Sequence, residues 1–477
     1  DKGLYTMGVH VLRSLRQSNS DIRLLWFSVF IRMISFGITN QVLTLYLAEL
    51  GISEVNIGIF MSLTMIGDSI ISYILTWNST KIGNRFIMLL GGFLMIIAST
   101  IFATGTENFN YLLFAAIVGV ISPSGNDAGP FKSIEETVLA NLTPPNHRPE
   151  VYAIHWILGS LGSSLGSISA GFIVDKLSKN YGFSMKKAYR YTFYVILATS
   201  IFKFISLLFI SYRAEPSYIP DYKLSNNENI ENNNDLINEN QDNIMERSSS
   251  LTSENDEHRP LLRIQSTVEH TTITGLSSST QKILFKLLVP FMIDSFGYGF
   301  MTNAWIVYYF EKRYLKSAFV LGTLFGFAGL MTSVSALPSA WFAKKFGPIK
   351  SSILTQIPCG LFFILIPILG YNFQSASILY LLNQLTTAFD VVPRQIILTS
   401  LIEPMELPKV MGTVNIGKQI ARSISPFSTG FFAEAGCLWM CFVIAGSLLI
   451  LANVILAIDF SDLDEKVKKL ESIDHDI

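Results

Sequence analysis

Charge is scarce in this sequence: only 15% of its 477 residues are Asp, Glu, Lys or Arg, and 35 basic residues against 36 acidic ones leave a net charge of −1. Without an excess of either sign there is no global electrostatic basis for binding nucleic acid or an acidic partner. Cysteine is scarcer still. The three present, Cys359, Cys437 and Cys441, all fall in or beside apolar segments, which excludes a disulfide framework and a spaced metal site. Cys437 and Cys441 stand one helical turn apart, where packing accounts for them. No cleavable-leader pattern opens the chain, so the first apolar segment is expected to serve as the targeting signal. A nucleophile beside its base and a phosphate-cradling loop are also lacking, so an enzyme is not expected, nor a cofactor or a metal. What is abundant is hydrocarbon. Half of the residues are hydrophobic, 12% are aromatic, and the mean hydropathy is +0.41. That balance belongs to an integral membrane protein with many spans.

A bilayer core about 30 Å thick requires roughly 20 apolar residues per helix. Such windows recur at 24–49, 55–78, 85–104, 110–140, 151–174, 189–212, 283–310, 317–343, 349–370, 375–402, 409–433 and 437–459. Six spans, a long interruption and six more spans divide the chain into a tail (1–23), a six-helix bundle (24–212), a linker (213–281), a second bundle (282–459) and a second tail (460–477). The linker contains NNENIENNNDLINENQDN, too polar to build a core, and is expected to be disordered. Six spans before it put the linker and both tails on one side. The short loops there carry Lys81, Arg85, Arg148, Lys344, Lys345 and Lys350, which marks that side as cytoplasmic. The loop between spans 5 and 6, DKLSKNYGFSMKKAYR, is basic on the opposite side and argues against this orientation.

The two halves can be laid on each other. TWNSTKIG (76–83) matches AWFAKKFG (340–347), NDAGP (126–130) matches FDVVP (389–393), and residues 148–173 lie without gaps on 407–432, at offsets of 264, 263 and 259. Three matches in order at nearly constant offset indicate a duplicated six-span unit. Six plus six spans, a central linker and a basic glycine-containing loop after the second span of each half resemble the major facilitator superfamily. The resemblance implies an all-α membrane protein of twelve transmembrane helices in two pseudo-symmetric six-helix bundles, working as a monomer. The family's loop signature contains an acid that both loops lack: the first reads Thr76, Thr80, Lys81, Gly83 and Arg85, the second Ala340, Lys344, Lys345, Gly347 and Lys350. The resemblance also implies that spans 1, 4, 7 and 10 line a central cavity, with parts of 5, 8 and 11 beside them.

An ionised side chain at the bilayer centre costs on the order of 3 kcal/mol even on lenient scales, so it faces protein or water. Arg32, Asp127, Asp294, Asp390, Arg394, Lys418 and Arg422 all lie well inside spans, as does Asp68 in span 2. In ISPSGNDAGPFKSIEET (121–137), Pro123 and Gly125 interrupt the fourth span. Beyond them Asp127, Phe131 and Glu135 share a helix face, with Lys132 and Glu136 one step round. Such a stretch fits a hydrated pathway. Substrate contacts are expected from Arg32, Asp127, Phe131, Lys132, Trp156, Asp294, Asp390, Arg394, Lys418 and Arg422, and proton coupling from Asp127, Glu135 or Asp294.

Each of these residues also has a structural reading. Asp390 and Arg394, at i and i+4, can neutralise one another. Lys418 and Arg422 are alike in sign and need carboxylates, with Asp127 and Asp294 as candidates, or an anionic solute. Glu135 and Glu136 can couple protons, or latch to Arg148 or the Lys81–Arg85 loop, and Lys344 and Lys345 form the matching gate. His155 fits a satisfied interior histidine, and Gly162 with Gly166 a close helix contact.

In the linker, EHRPLL (Glu257, Leu261 and Leu262 carrying the pattern) reads as an acidic dileucine address for a sorting adaptor, which favours a vacuolar or lysosomal membrane over the plasma membrane. Transport of a small polar solute, anionic or zwitterionic, by alternating access with proton coupling is the leading expectation. A multidrug-type transporter with Phe131, Trp156 and Trp305 as aromatic walls, or a transporter-like receptor, is the alternative.

Overall fold

Hydrocarbon offers no water to backbone amides, so a chain this apolar has to satisfy them within helices. The computed structural model describes residues 19–119, 130–144, 147–218, 277–336, 338–402 and 406–464, and every regular element among them is helical. Spans 1 to 6 are Ser20–Glu49, Glu54–Trp77, Asn84–Thr104, the pair Phe109–Val118 and Pro130–Leu142, Arg148–Asp175, and Met185–Leu208. Spans 7 to 12 are the pair Ser278–Phe300 and Asn303–Tyr314, Ala318–Ala336, Pro348–Leu369, the pair Phe373–Thr387 and Val391–Leu401, Leu407–Glu434, and Leu438–Asp459. Nine segments among the described residues are long and apolar enough to cross a membrane. Spans 4 and 10 fall short because they are broken, and span 11 because Lys418 and Arg422 interrupt its apolar run. Span 7 starts earlier than its hydropathy suggests because the Ser277 hydroxyl accepts the Thr280 amide at 3.2 Å and caps the helix. Large apolar side chains such as Ile70, Phe202, Phe285 and Ile458 are more than half exposed, as befits a lipid-facing surface.

The duplication extends into packing. Residues 35–41, SFGITNQ, correspond to 297–303, GYGFMTN, at an offset of 262. A Cβ on Gly37 would stand 2.0 Å from the Ser163 carbonyl oxygen, and one on Gly299 would stand 2.4 Å from that of Arg422. Ser163 and Arg422 are themselves equivalent at the offset of 259, so span 1 meets span 5 as span 7 meets span 11. Gly162 and Gly166 complete the first of these contacts against the carbonyls of Phe30 and Ile34.

The loops after spans 2 and 8 repeat as well. Gly83 and Gly347 have φ of 93° and 90°, a region that favours glycine. The acid missing from both loops is supplied from elsewhere in the chain: Glu215, after span 6, accepts the Asn84 amide at 2.9 Å, and Asp464, after span 12, accepts those of Ile349 and Lys350 at 2.8 and 3.1 Å. Each carboxylate thus caps the N-terminus of the third span of its half. Gly83→Ala should cost about 1–2 kcal/mol from backbone strain, and its Cβ would lie 2.7 Å from Glu215 Oε2. Thermal unfolding should register this loss, whereas Gly412→Ala, with open space around it, should not.

Among the described residues, the apolar core shared by the two halves lies at one end. A single apolar cluster at the end away from the linker joins Ile38, Leu47 and Phe102 to Phe300, Trp305 and Phe442. At the linker end there are two clusters, one per half, around Trp26, Ile134 and Leu207 and around Phe291, Ile397 and Leu456. Span 2 packs along span 11, and span 5 along span 8. At the joined end Asp175 Oδ1 accepts the Ala318 amide and Glu434 Oε2 accepts the Val55 amide, both at 3.1 Å, and Tyr308 donates to Glu54 at 2.7 Å.

Candidate functional site

Between the halves lies a cavity of about 280 Å³, which runs from mid-span toward the linker end. The first half lines it with Asn40, Gln41, Lys132, Glu136, His155 and Trp156, and the second with Tyr298, Thr302, Asn303, Gln384 and Arg422. The Lys132 ammonium lies 5.8 Å from the Trp156 ring centroid, and the Arg422 guanidinium 5.8 Å from that of Tyr298. A cation held over an aromatic face is attracted by the ring quadrupole while its stem packs.

Each half also holds a buried ionic cluster, whose charged members are not among the residues that line the cavity. In the first half, Arg32 Nη2 lies 2.8 Å from Glu135 Oε2, while Ser28 donates to Glu135 Oε1 at 3.1 Å and Lys203 Nζ stands 3.8 Å from that oxygen. The Arg32, Glu135 and Lys203 side chains are no more than 7% exposed. In the second half, Arg394 Nη1 meets Asp294 Oδ2 at 2.6 Å and its Nε is ion-paired with Asp390. The Arg394 guanidinium and the Lys418 ammonium both lie over the Phe291 ring, 5.4 and 5.9 Å from its centroid. At the offset of 262, Arg32 is equivalent to Asp294. The first span of one half carries the cation and its fourth span the acid; the other half reverses them.

Several sequence expectations change here. Arg32 is matched by Glu135 on span 4, although nothing acidic on its own helix could pair with it. Asp294 pairs directly with Arg394, and Lys418 and Arg422, for which it was a candidate partner, stand within its electrostatic reach. Glu135 lies inside the ionic cluster, so in this conformation it is no latch to the loops. Lys81, Lys344 and Lys345 sit on the short helices Ser79–Ile82 and Ser339–Phe346 and Arg85 in the first turn of span 3; none makes an ion pair among the described residues, and Arg148 donates Nε to the Thr143 carbonyl at 3.2 Å. His155 is buried at 7% exposure and Trp156 is half exposed. Asp127 and the sorting residues Glu257, Leu261 and Leu262 lie outside the described residues, as does the side chain of Phe131.

Lys203 was missed, although a lone lysine within YTFYVILATSIFKFISLLFI carries the same signal that singled out Arg32. Asn40, Gln41, Thr302 and Asn303 were missed because neutral polar residues in an apolar run do not advertise depth.

A profile of the Major Facilitator Superfamily matches residues 25–369 and 271–473. The uncharacterized membrane protein YJR124C of Saccharomyces cerevisiae is 43% identical over 466 residues, 97% of this chain and 99% of that protein. The quinolone resistance protein NorA of Staphylococcus aureus is 25% identical over 187 residues, 39% of this chain and 44% of NorA. Among solved structures, a POT family transporter in complex with 5-aminolevulinic acid has the same fold, with a TM-score of 0.64 at 14% identity and coverage of 92% of this chain and 96% of the other.

Proposed function

The chain belongs to the Major Facilitator Superfamily, and we propose that it moves a small anionic or zwitterionic solute by alternating access, coupled to protons. The observation that carries this reading is the pair of opposed ionic clusters, Arg32–Glu135 and Asp294–Arg394, one buried in each half behind a cavity whose own lining carries the charged side chains of Lys132, Glu136 and Arg422. A carboxylate bound to a guanidinium holds its proton weakly, and it becomes basic when that cation is drawn away. A solute anion that competes for Arg32 or Arg394 therefore promotes protonation of Glu135 or Asp294, so that anion and proton travel together. Asp127 belongs to the same proposed pathway. The linker-end residues Lys81, Arg85, Glu136, Arg148, Lys344 and Lys345 would close that end in the alternate conformation. The 5-aminolevulinic acid of the structural neighbour, which carries a carboxylate and an amine, suits the same solute class. We place the protein in a vacuolar or lysosomal membrane on the strength of the dileucine pattern in the linker.

Liposomes containing the purified protein and an internal pH dye test the reading. Pools of organic anions and amino acids should drive proton movement, and Glu135→Gln and Asp127→Asn should abolish it while solute still binds. Solute flux without proton movement would remove the coupling. A response to cationic drugs alone would replace the solute class with that of a multidrug transporter.

A further inference from the structure

Span 7 is broken where its counterpart is not. Span 1 runs as one helix through Thr39, Asn40 and Gln41, but at the equivalent residues Met301 adopts φ −123° and ψ 67° and a new helix starts at Asn303. The span's own proline, Pro290, lies more than two turns earlier and does not cause the break. A break at this depth is tolerable only where backbone groups face a cavity or protein.

The new helix, Asn303–Tyr314, has 12 residues, and its first turn ends at the blind end of the cavity, which Thr302, Asn303 and Ile306 line. Thr302 holds the cap position without capping. Its Oγ1 has no hydrogen-bond partner, and the residue is 3% exposed. The amides of Asn303, Ala304 and Trp305 are therefore left without an acceptor among the described residues, at the positive end of the helix dipole. Span 1 lines the same end of the cavity with Asn40 and Gln41, which are 5% and 3% exposed and whose carboxamide oxygens Oδ1 and Oε1 are also unpartnered. Asn40 and Thr302 are equivalent in the two repeats, as are Gln41 and Asn303. Buried donors and acceptors are almost always paired. Here donors collect on one wall of the cavity end and acceptors on the other.

The geometry points to a subsite for an α-amino or α-hydroxy carboxylate. The carboxylate accepts from the first-turn amides of 303–305 and the Thr302 hydroxyl, as anions do at helix N-termini. The ammonium or hydroxyl on its α-carbon donates to Asn40 Oδ1 and Gln41 Oε1. Arg422, stacked on Tyr298 one turn toward the linker end from Thr302, adds positive potential at the approach. This assignment rests on the anionic or zwitterionic reading above and narrows it.

Four probes of one size test it: leucine, 2-hydroxyisocaproate, isocaproate and leucinamide, each titrated into the purified full chain in nanodiscs. Leucine and the hydroxy acid should bind at least about tenfold more tightly than isocaproate, which lacks the α-donor, and than leucinamide, which lacks the carboxylate. Asn40→Ala and Gln41→Ala should each erase the preference for leucine over isocaproate and leave isocaproate binding unchanged, a change in ratio that general destabilisation would not produce. Thr302→Val, which keeps the side-chain shape, should weaken all the carboxylates. Equal binding of leucine and isocaproate would overturn the subsite and leave the anionic reading standing. Equal binding of leucine and leucinamide would overturn both. If none of the four binds, the subsite is wrong, and the liposome pools decide the solute class separately.

Discussion

Arg394→Met should lower the thermal midpoint of the purified protein further than Gly83→Ala does. The change leaves Asp294 and Asp390, with side chains 3% and 9% exposed, facing one another without the guanidinium that bridges them. Removing one member of a buried ion pair costs about 3–5 kcal/mol, because the remaining charge has neither water nor partner. Lys418, within electrostatic reach of both aspartates, should keep the loss toward the lower end of that range. Asp390→Asn on the Arg394→Met background should recover part of the stability, since a neutral amide removes the repulsion. Arg394→Lys should recover little, because Nη1 and Nε serve different carboxylates and a single ammonium cannot reproduce that fork. Size-exclusion melting curves of the parent and the three variants decide the matter. A methionine variant as stable as the parent would mean that the bridge carries no stability.

The architecture was legible because it is written in composition. Twelve apolar windows, a polar interruption and three offset matches need no knowledge of contacts. The ionic residues other than Lys203 were legible too, since an arginine or aspartate inside an apolar run is conspicuous wherever it points. Their partners were not. Glu135 meets Arg32 across 103 residues, and nothing local distinguishes a carboxylate that pairs with a distant span from one that latches a loop. The equivalence of SFGITNQ and GYGFMTN rests on one shared residue, the glycine at 37 and 299, too little to notice before both glycines are seen against a carbonyl of a neighbouring span. The break in span 7 was hidden as well: Pro290, the residue that signals a break, sits in continuous helix, and the chain leaves helical geometry only at Met301.

Removing both cross-half caps should tip the protein toward the conformation closed at the linker end. Asp175 and Glu434 are equivalent at the offset of 259, and each holds the N-terminus of a span in the opposite half, at Ala318 and Val55. These bonds exist only while the halves touch at the joined end, so they stabilise this conformation and not its alternate. Loss of a capping carboxylate costs about 1 kcal/mol, and the two together about 2 kcal/mol, which is roughly a thirtyfold change in the ratio of the two conformations. Asp175→Ala with Glu434→Ala should therefore lengthen the distance between spin labels at Ile52 and Lys316 and shorten that between labels at Lys81 and Lys344, with Cys359, Cys437 and Cys441 first replaced. Lys179→Ala is the control: its ion pair with Asp175, 2.7 Å long, lies within one half and should not shift either distance. Each single cap removed should give about half the free-energy change, because the two sites are far apart and share no partner. If both distance distributions stay unchanged in the double variant, the shared apolar cluster holds the halves together unaided and the caps have no part in switching.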